Sequence, residues 1–482
     1  MHIDRRTLLK AAGAASLIGT APRALWAAGQ TGEKADYTLR IATGLVELAP
    51  DHIVSTTFYN GQFPGPLLRF KEGQRVTIDI YNDTDTPELV HPHGLMIPID
   101  ADGAAEEGSP FVPAHGMRRT AFVPRPSGFR FYHTHVPAYG NLNLGTYTGQ
   151  AGPIYIEPKD NPGAYDREVF LVLKEFEPTF SQGGDMPMDV LAGAPIAELQ
   201  EIGKKAEQRF QGPKGYEVGY QFFGINGKML GHGEPIRVKQ GERVLFHILN
   251  ASAGEIRSLA LPGHSFKIVA LDGNPVPTQA EVPLLWLGTA ERISAIVEMK
   301  HPGIWVMGDL SDDDRGHGMG IVVEYAGQTG EPQWIKPEPY LWDYTICGKA
   351  GASPAVPDEK LDFLIVKENG ALNGFNRWTL NGEAFSMETM KPVHTVHKGR
   401  RYRLKFRNAS DDIHPLHLHR HSFELVRVNG KPTAGVMKDV VMLGGYQEVE
   451  FDLVPESPGL SLFHCHQQLH MDFGFMALFN CV

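Results

Sequence analysis

One frame occurs three times along the chain. Asn60-Gly61 leads to a segment from Gly73 to Asn82, Asn226-Gly227 to one from Gly241 to Asn250, and Asn381-Gly382 to one from Gly399 to Asn408. Asn-Gly is a tight-turn dipeptide. The run between each later Gly and Asn alternates like a strand, so every copy reads as turn, strand and polar break. The copies start about 160 residues apart, too long for one solenoid unit, so each marks a domain. Glycine (53) and proline (35) punctuate short segments rich in Val, Ile, Phe and Tyr throughout, an all-β pattern. The expected architecture is three related β-sandwiches over 36–158, 165–327 and 335–482. One stretch breaks the pattern. Within Pro195–Gln211, Ile196, Leu199, Ile202 and Ala206 recur at helical spacing, which predicts a short surface helix or lid inserted in the second domain. Met186 and Met188 just before it offer soft sulfurs, although a loop methionine is more often a packing residue.

The start of the chain reads as a targeting segment over 1–28. Arg5-Arg6 and Lys10 precede a short apolar run, Ala11–Ile18, and small residues around Ala27-Ala28. The arginine pair predicts a twin-arginine signal, and with it the export machinery of that route as a partner. The apolar run is too short to span a bilayer, and nothing later in the sequence is long and apolar enough to do so. The expected location is periplasmic or secreted. The chain carries a formal charge of −11, and residues 1–28 hold four cations against one acid, so the remainder lies near −14. That disfavours nucleic acid and an anionic membrane surface as partners. Two of the three cysteines, Cys347 and Cys481, are candidates for a disulfide in an oxidising compartment.

The third cysteine lies in His464-Cys465-His466, with His470 following. Thiolate plus imidazole is the ligand set of a blue-copper electron-transfer centre, and imidazole alone suits copper that meets oxygen. Neighbouring residues on a strand point to opposite faces, so Cys465 can serve one metal while His464 and His466 serve others. Three more clusters accompany this one: His91-Pro92-His93, His133-Thr134-His135, and His414-Pro415-Leu416-His417-Leu418-His419. They use the His-x-His spacing that puts both rings on one strand face. All lie in the first and third domains. Aligned on the shared His-Ser-Phe tripeptide, the second domain has Arg257, Ala260 and Pro262 where the third has His414, His417 and His419. The sandwich therefore does not need those histidines. His264 and His421, present in both copies, read as structural. His115, His317, His394 and His397 read as ordinary turn or strand positions.

With these motifs in this order, the chain resembles the multicopper oxidases, specifically their three-domain, laccase-like bacterial branch. The resemblance spans nearly the whole chain after the leader. It implies cupredoxin-like Greek-key sandwiches and four copper ions. A type 1 copper would take His414, Cys465 and His470. A type 2 copper would take His91 and His417. One type 3 copper would take His93, His133 and His466, and the other His135, His419 and His464. The implied activity is one-electron oxidation of a small reducing substrate, with Cys465 carrying electrons to a cluster where O2 becomes water. Asp102-Gly103 matches the family's acid on the type 2 side, which makes Asp102 a candidate proton relay.

Four positions depart from the common pattern. Pro92 stands where many relatives carry Trp, and Arg420 where Gly is usual. Met471 follows His470 where several bacterial relatives have a proton-transferring Glu, which leaves Asp472 or another acid for that work. The axial position, ten residues after Cys465, is Phe475, with Met476 one place late. A phenyl ring cannot coordinate, so the type 1 potential is expected to be raised. The leading functional expectation is a laccase-like oxidase of phenols or aromatic amines. Its alternative is a metallo-oxidase of Cu(I), Fe(II) or Mn(II), with Asp411 and Asp412 as cation or amine partners. A non-enzymatic periplasmic scaffold of the same fold is a third reading, disfavoured by the intact ligands.

Overall fold

The computed structural model describes residues 34–159, 164–182, 190–210 and 214–482. The leader and the Met186/Met188 loop lie outside the described residues. Within Tyr37–Val482 the first sandwich pairs two four-stranded sheets. One runs His52–Tyr59, Tyr37–Ala49, Val76–Asn82, Gly116–Phe122; the other runs Leu68–Lys71, Ala151–Glu157, Gly128–Thr134, Val90–His93. Leu39, Ile41, Ile78 and Ile80 of the first sheet pack on Leu68, Phe70, Ile154 and Ile156 of the second. The later strands build one long sheet backed by two five-stranded sheets. That long sheet crosses between repeats at a single pair, Tyr216 beside Phe375. The chain is thus an all-β protein of three cupredoxin-like sandwiches.

The sequence repeat is a repeat of hydrogen bonds. Asn60, Asn226 and Asn381 all take positive φ near 53°, followed by a positive-φ glycine, the conformation that Asn-Gly turns require. Each side-chain amide donates to a strand carbonyl, of Thr38, Phe170 or Asp362. Each side-chain oxygen accepts from an N–H two residues further along that strand, at Arg40, Val172 or Leu364. The second asparagine of the frame repeats too. Asn82, Asn250 and Asn408 each tie together two loop carbonyls and the N–H two residues on. In the third copy this braced loop leads directly to His414.

The predicted helix forms over Ala197–Arg209 and buries Leu199 and Gly203. It lies on the third repeat. A β-carbon at Gly203 would stand 2.5 Å from the Ala409 carbonyl, and the Ile196 N–H donates to Tyr446. Cys347 and Cys481 are free, buried thiols, so the candidate disulfide is not formed. Burial pushes both thiols up to about 12, well away from reactive thiolates. His264 and His421 are structural as expected, bonded to Tyr325 and Ser461 respectively. Among the described residues no helix is long and apolar enough to cross a membrane.

Candidate metal centres

Four short strands carry most of the predicted ligands. His91 pairs with His133 on neighbouring strands of one sheet in the first sandwich, and His417 with His464 likewise in the third. Leu416 pairs with Cys465, so alternation sends Cys465 to one side of its sheet and His464 and His466 to the other. On the first side Cys465 Sγ lies 3.6 Å from His414 Nδ1 and 3.7 Å from His470 Nδ1, and the two nitrogens are 3.3 Å apart. His470 arrives on the short helix Gln468–Asp472. On the other side eight histidines from both sandwiches converge. His91, His93 and His417 form one group of approaching nitrogens, His93, His133 and His466 a second, His135, His419 and His464 a third. All these rings are buried.

Ring orientation follows from which nitrogen is already engaged. His91, His133, His417, His419 and His464 each give Nδ1 to an oxygen at 2.6–2.8 Å. Their Nε2 atoms turn inward, and those of His419 and His464 approach to 3.0 Å. His93 is reversed: Nε2 meets Asp439 Oδ1 at 3.0 Å and Nδ1 faces His133. The inward Nε2 atoms of His91 and His417, and both ring nitrogens of His135 and His466, have no hydrogen-bond partner. Buried, unpaired acceptors are costly. Burial also depresses the pKa of His93, His133, His135, His417, His419, His464 and His466, with neighbouring imidazoles adding to it. Neutral imidazoles with free lone pairs are what a copper ion takes. The donor set fits copper in both places, a thiol with two imidazoles in one and imidazoles alone in the other.

Asp102 touches two cluster histidines, through its carbonyl to His91 Nδ1 and through Oδ2 to His419 Nδ1 at 2.8 Å. Gly103 permits this approach, since a β-carbon there would sit 2.1 Å from the Val90 carbonyl. Glu106 and Glu107, which the sequence reading passed over, are also buried at this edge. Glu106 lies 3.8 Å from His135 Nδ1 with both oxygens unpaired, and burial raises its pKa to about 6. Asp472 has a different task. Its carboxylate accepts from the N–H groups of Ala138 and Tyr139 and from Gln468, holding the loop after His135.

The four departures have structural consequences. Pro92 is a buried strand residue opposite Tyr132. Arg420 adopts φ +60° and turns its guanidinium to the carbonyls of Ile97, Pro458 and Leu460. Met471 packs with Ala104, Leu462 and Met476. Phe475 meets the His414 ring edge to face at 4.9 Å, while Trp378 lies 4.7 Å from His414 and 4.4 Å from His470. Met476 turns away from His414, into a separate apolar cluster with Met471.

A small cleft of about 80 Å3 opens beside His470. It draws on all three repeats, with Tyr147 from the first joining Glu217, Tyr220, Glu255 and Asp412. Glu217 Oε2 is 3.6 Å from His470 Nε2. Lys367 takes one oxygen each of Asp411 and Asp412 at 2.8 Å, and only Asp412 reaches the cleft. The Tyr147 and Tyr220 hydroxyls are buried without partners.

Family profiles described as multicopper oxidase match residues 42–161, 199–325 and 359–481. The chain belongs to the multicopper oxidase family. It is 28% identical over 476 residues to multicopper oxidase MmcO of Mycobacterium tuberculosis, covering 96% of this chain and 90% of that protein. In fold it is similar to the crystal structure of Fet3p, a multicopper oxidase that functions in iron import, with TM-score 0.74, 17% identity, and 92% and 90% of the two chains covered. The laccase from Botrytis aclada gives TM-score 0.72 at 17% identity, covering 92% and 87%.

Proposed function

We propose that the chain is a copper-dependent oxidase of small, electron-rich donors such as phenols or aromatic amines, with O2 as acceptor, built from domains at 36–158, 165–327 and 335–482. The carrying observation is that Cys465 groups with His414 and His470 while its two chain neighbours belong to the histidine cluster. His414, Cys465 and His470 would hold a type 1 copper. His91 and His417 would hold a type 2 copper. His93, His133 and His466, and His135, His419 and His464, would hold the type 3 pair. Copper so bound supplies one-electron acceptance from the donor at the thiolate site and four-electron reduction of O2 to water at the cluster. Cys465 and its flanking histidines make the covalent path between the two. Glu217 orients a donor's O–H or N–H beside His470. Asp102, whose Oδ1 is unpaired within the buried edge of the cluster, would serve as the proton relay.

A second reading, oxidation of a metal cation, is supported by the same cleft. It is small against the ~300 Å3 or more usual for an organic ligand, and three of its lining side chains are acidic. Oxygen consumption by the copper-loaded protein, with a substituted phenol and with Cu(I) offered separately, decides between them. Uptake with the phenol alone supports the organic reading; uptake with Cu(I) alone makes the chain a metallo-oxidase. A colourless protein that takes up no copper would overturn both. Twin-arginine export to the periplasm is likewise our reading of Arg5-Arg6. Replacing both by lysine should keep the protein in the cytoplasmic fraction.

A further inference from the structure

Among its described residues the second repeat contributes nothing to the groups of candidate ligands, yet it reaches the cluster. Asp439 follows the strand Lys431–Lys438 and is fully buried. Its carbonyl accepts from His417 Nδ1 at 2.7 Å and its Oδ1 from His93 Nε2 at 3.0 Å. Arg292 of the second repeat grips the same carboxylate with both terminal nitrogens at 2.7 Å. Arg130 of the first repeat adds a third bond at 3.1 Å. The Asp272 carbonyl accepts from both arginines, and its side chain accepts from the N–H groups of Asp439 and Val440. The fit is close on the ligand side as well. Gly94, next to His93, has φ +78°, and a β-carbon there would stand 2.6 Å from Asp439 Oδ2 and 2.7 Å from Arg292 Nη2.

We propose that Arg292 is a positioning residue for the trinuclear site, fixing through Asp439 which ring nitrogen His93 presents to the metals. His93 differs from the five cluster histidines whose Nδ1 is engaged. Only a firm acceptor at its Nε2 keeps Nδ1 pointing inward, and Asp439 is that acceptor. A planar, two-pronged guanidinium holds the carboxylate plane in a way a lysine point charge does not. Stability alone is a weak reason for such a buried ion group, since well-packed apolar residues often serve as well. A ring-orienting role gives it a purpose. It also makes correct seating of the ligand-free repeat a condition for a complete cluster.

The inference rests on copper binding by these groups. Wild-type protein without copper would sink that assignment, whereas the variants below bear on the clamp alone. Arg292→Lys should keep the blue absorption of the Cys465 site as an internal check of folding. Its cluster should lose copper affinity about 10- to 100-fold, the usual cost of removing a partner behind a ligand. Copper per chain after dialysis against graded chelator, and the EPR signal of type 2 copper, read this out. Lys438→Met is the control: it disturbs the same buried network through Asp272 and Glu291 without touching the Asp439 carboxylate. Full cluster copper with an unaltered type 2 signal in Arg292→Lys would overturn the proposal. So would equal copper loss from both variants at equal loss of thermal stability. If Arg292→Lys does not fold, a crystal structure of the copper-loaded wild type decides. His93 bound through Nδ1 with Nε2 on Asp439 supports the clamp, and binding through Nε2 refutes it.

Discussion

His464 stands opposite Met476 across the last two strands, and Met476 packs with Leu462 and Met471 rather than beside Cys465. Phe475, one residue earlier, faces the other way, onto His414. Strand alternation therefore turns toward the proposed type 1 site a ring that cannot coordinate. Phe475→Met should supply a thioether there and lower the potential of the blue site, read by redox titration of its absorption. The packing cost should be modest, about 1–2 kcal/mol. An unchanged or higher potential would contradict the axial assignment.

Separation of the two metal sets predicts separable losses. Cys465→Ser or His414→Ala should abolish the blue colour and bring donor-driven oxygen uptake to background, while copper stays on the eight histidines. His417→Ala should do the reverse, leaving a blue protein that a donor reduces but O2 does not reoxidise. Copper analysis beside visible and EPR spectra checks both. Loss of all copper from either variant would count against two independent sites.

Acidity of the cleft predicts a charge preference. Burial raises the Glu255 carboxyl to about 7, so it gains its negative charge as pH rises through neutrality. KM for a cationic aromatic amine should fall between about pH 6 and 8, and Glu255→Gln should flatten that trend. Glu217→Gln should raise the same KM about tenfold or more, as expected for one charge-assisted bond. KM for a neutral phenol should barely move with Glu255→Gln and should rise less than that of the amine with Glu217→Gln, which loses the acceptor of its O–H but no net attraction. Equal effects on both donors would remove the electrostatic argument.

Glu88, three residues before His91, carries a stability prediction. Its carboxylate accepts from Thr134, and burial raises its pKa from 4.5 to about 7. A carboxyl whose folded pKa is raised favours the fold while protonated. That contribution is intact below about 4.5 and is lost as pH climbs through about 7. Glu88→Gln should therefore gain on the wild type across this window, by roughly 3 kcal/mol at pH 8. Urea midpoints of the two proteins at about pH 4.5 and pH 8 measure it. A constant difference between them would contradict the direction.

What was legible in the sequence was local or periodic. The Asn-Gly frame marked the repeats because only a few residues suit positive φ, and the same hydrogen bonds recur at each copy. His-x-His and His-Cys-His picked out the candidate ligands because strand alternation assigns faces without reference to the rest of the fold. Three matters lay beyond that reach. Arg292 and Asp439 are 147 residues apart in the chain, and neither stands in a recognisable motif. Glu106 is a plain acidic residue until burial beside His135 sets it apart. Asp472, the nearest acid to His470 in sequence, is spent on the backbone of Ala138 and Tyr139 because the chain brings that loop over it. The sequence by itself determined the three sandwiches and which side chains can bind metal, since those follow from short-range backbone geometry. Only the tertiary structure decided which ring nitrogen each histidine offers and that Glu106 and Asp439 lie against the cluster. Those depend on contacts between distant segments, and no spacing along the chain encodes them.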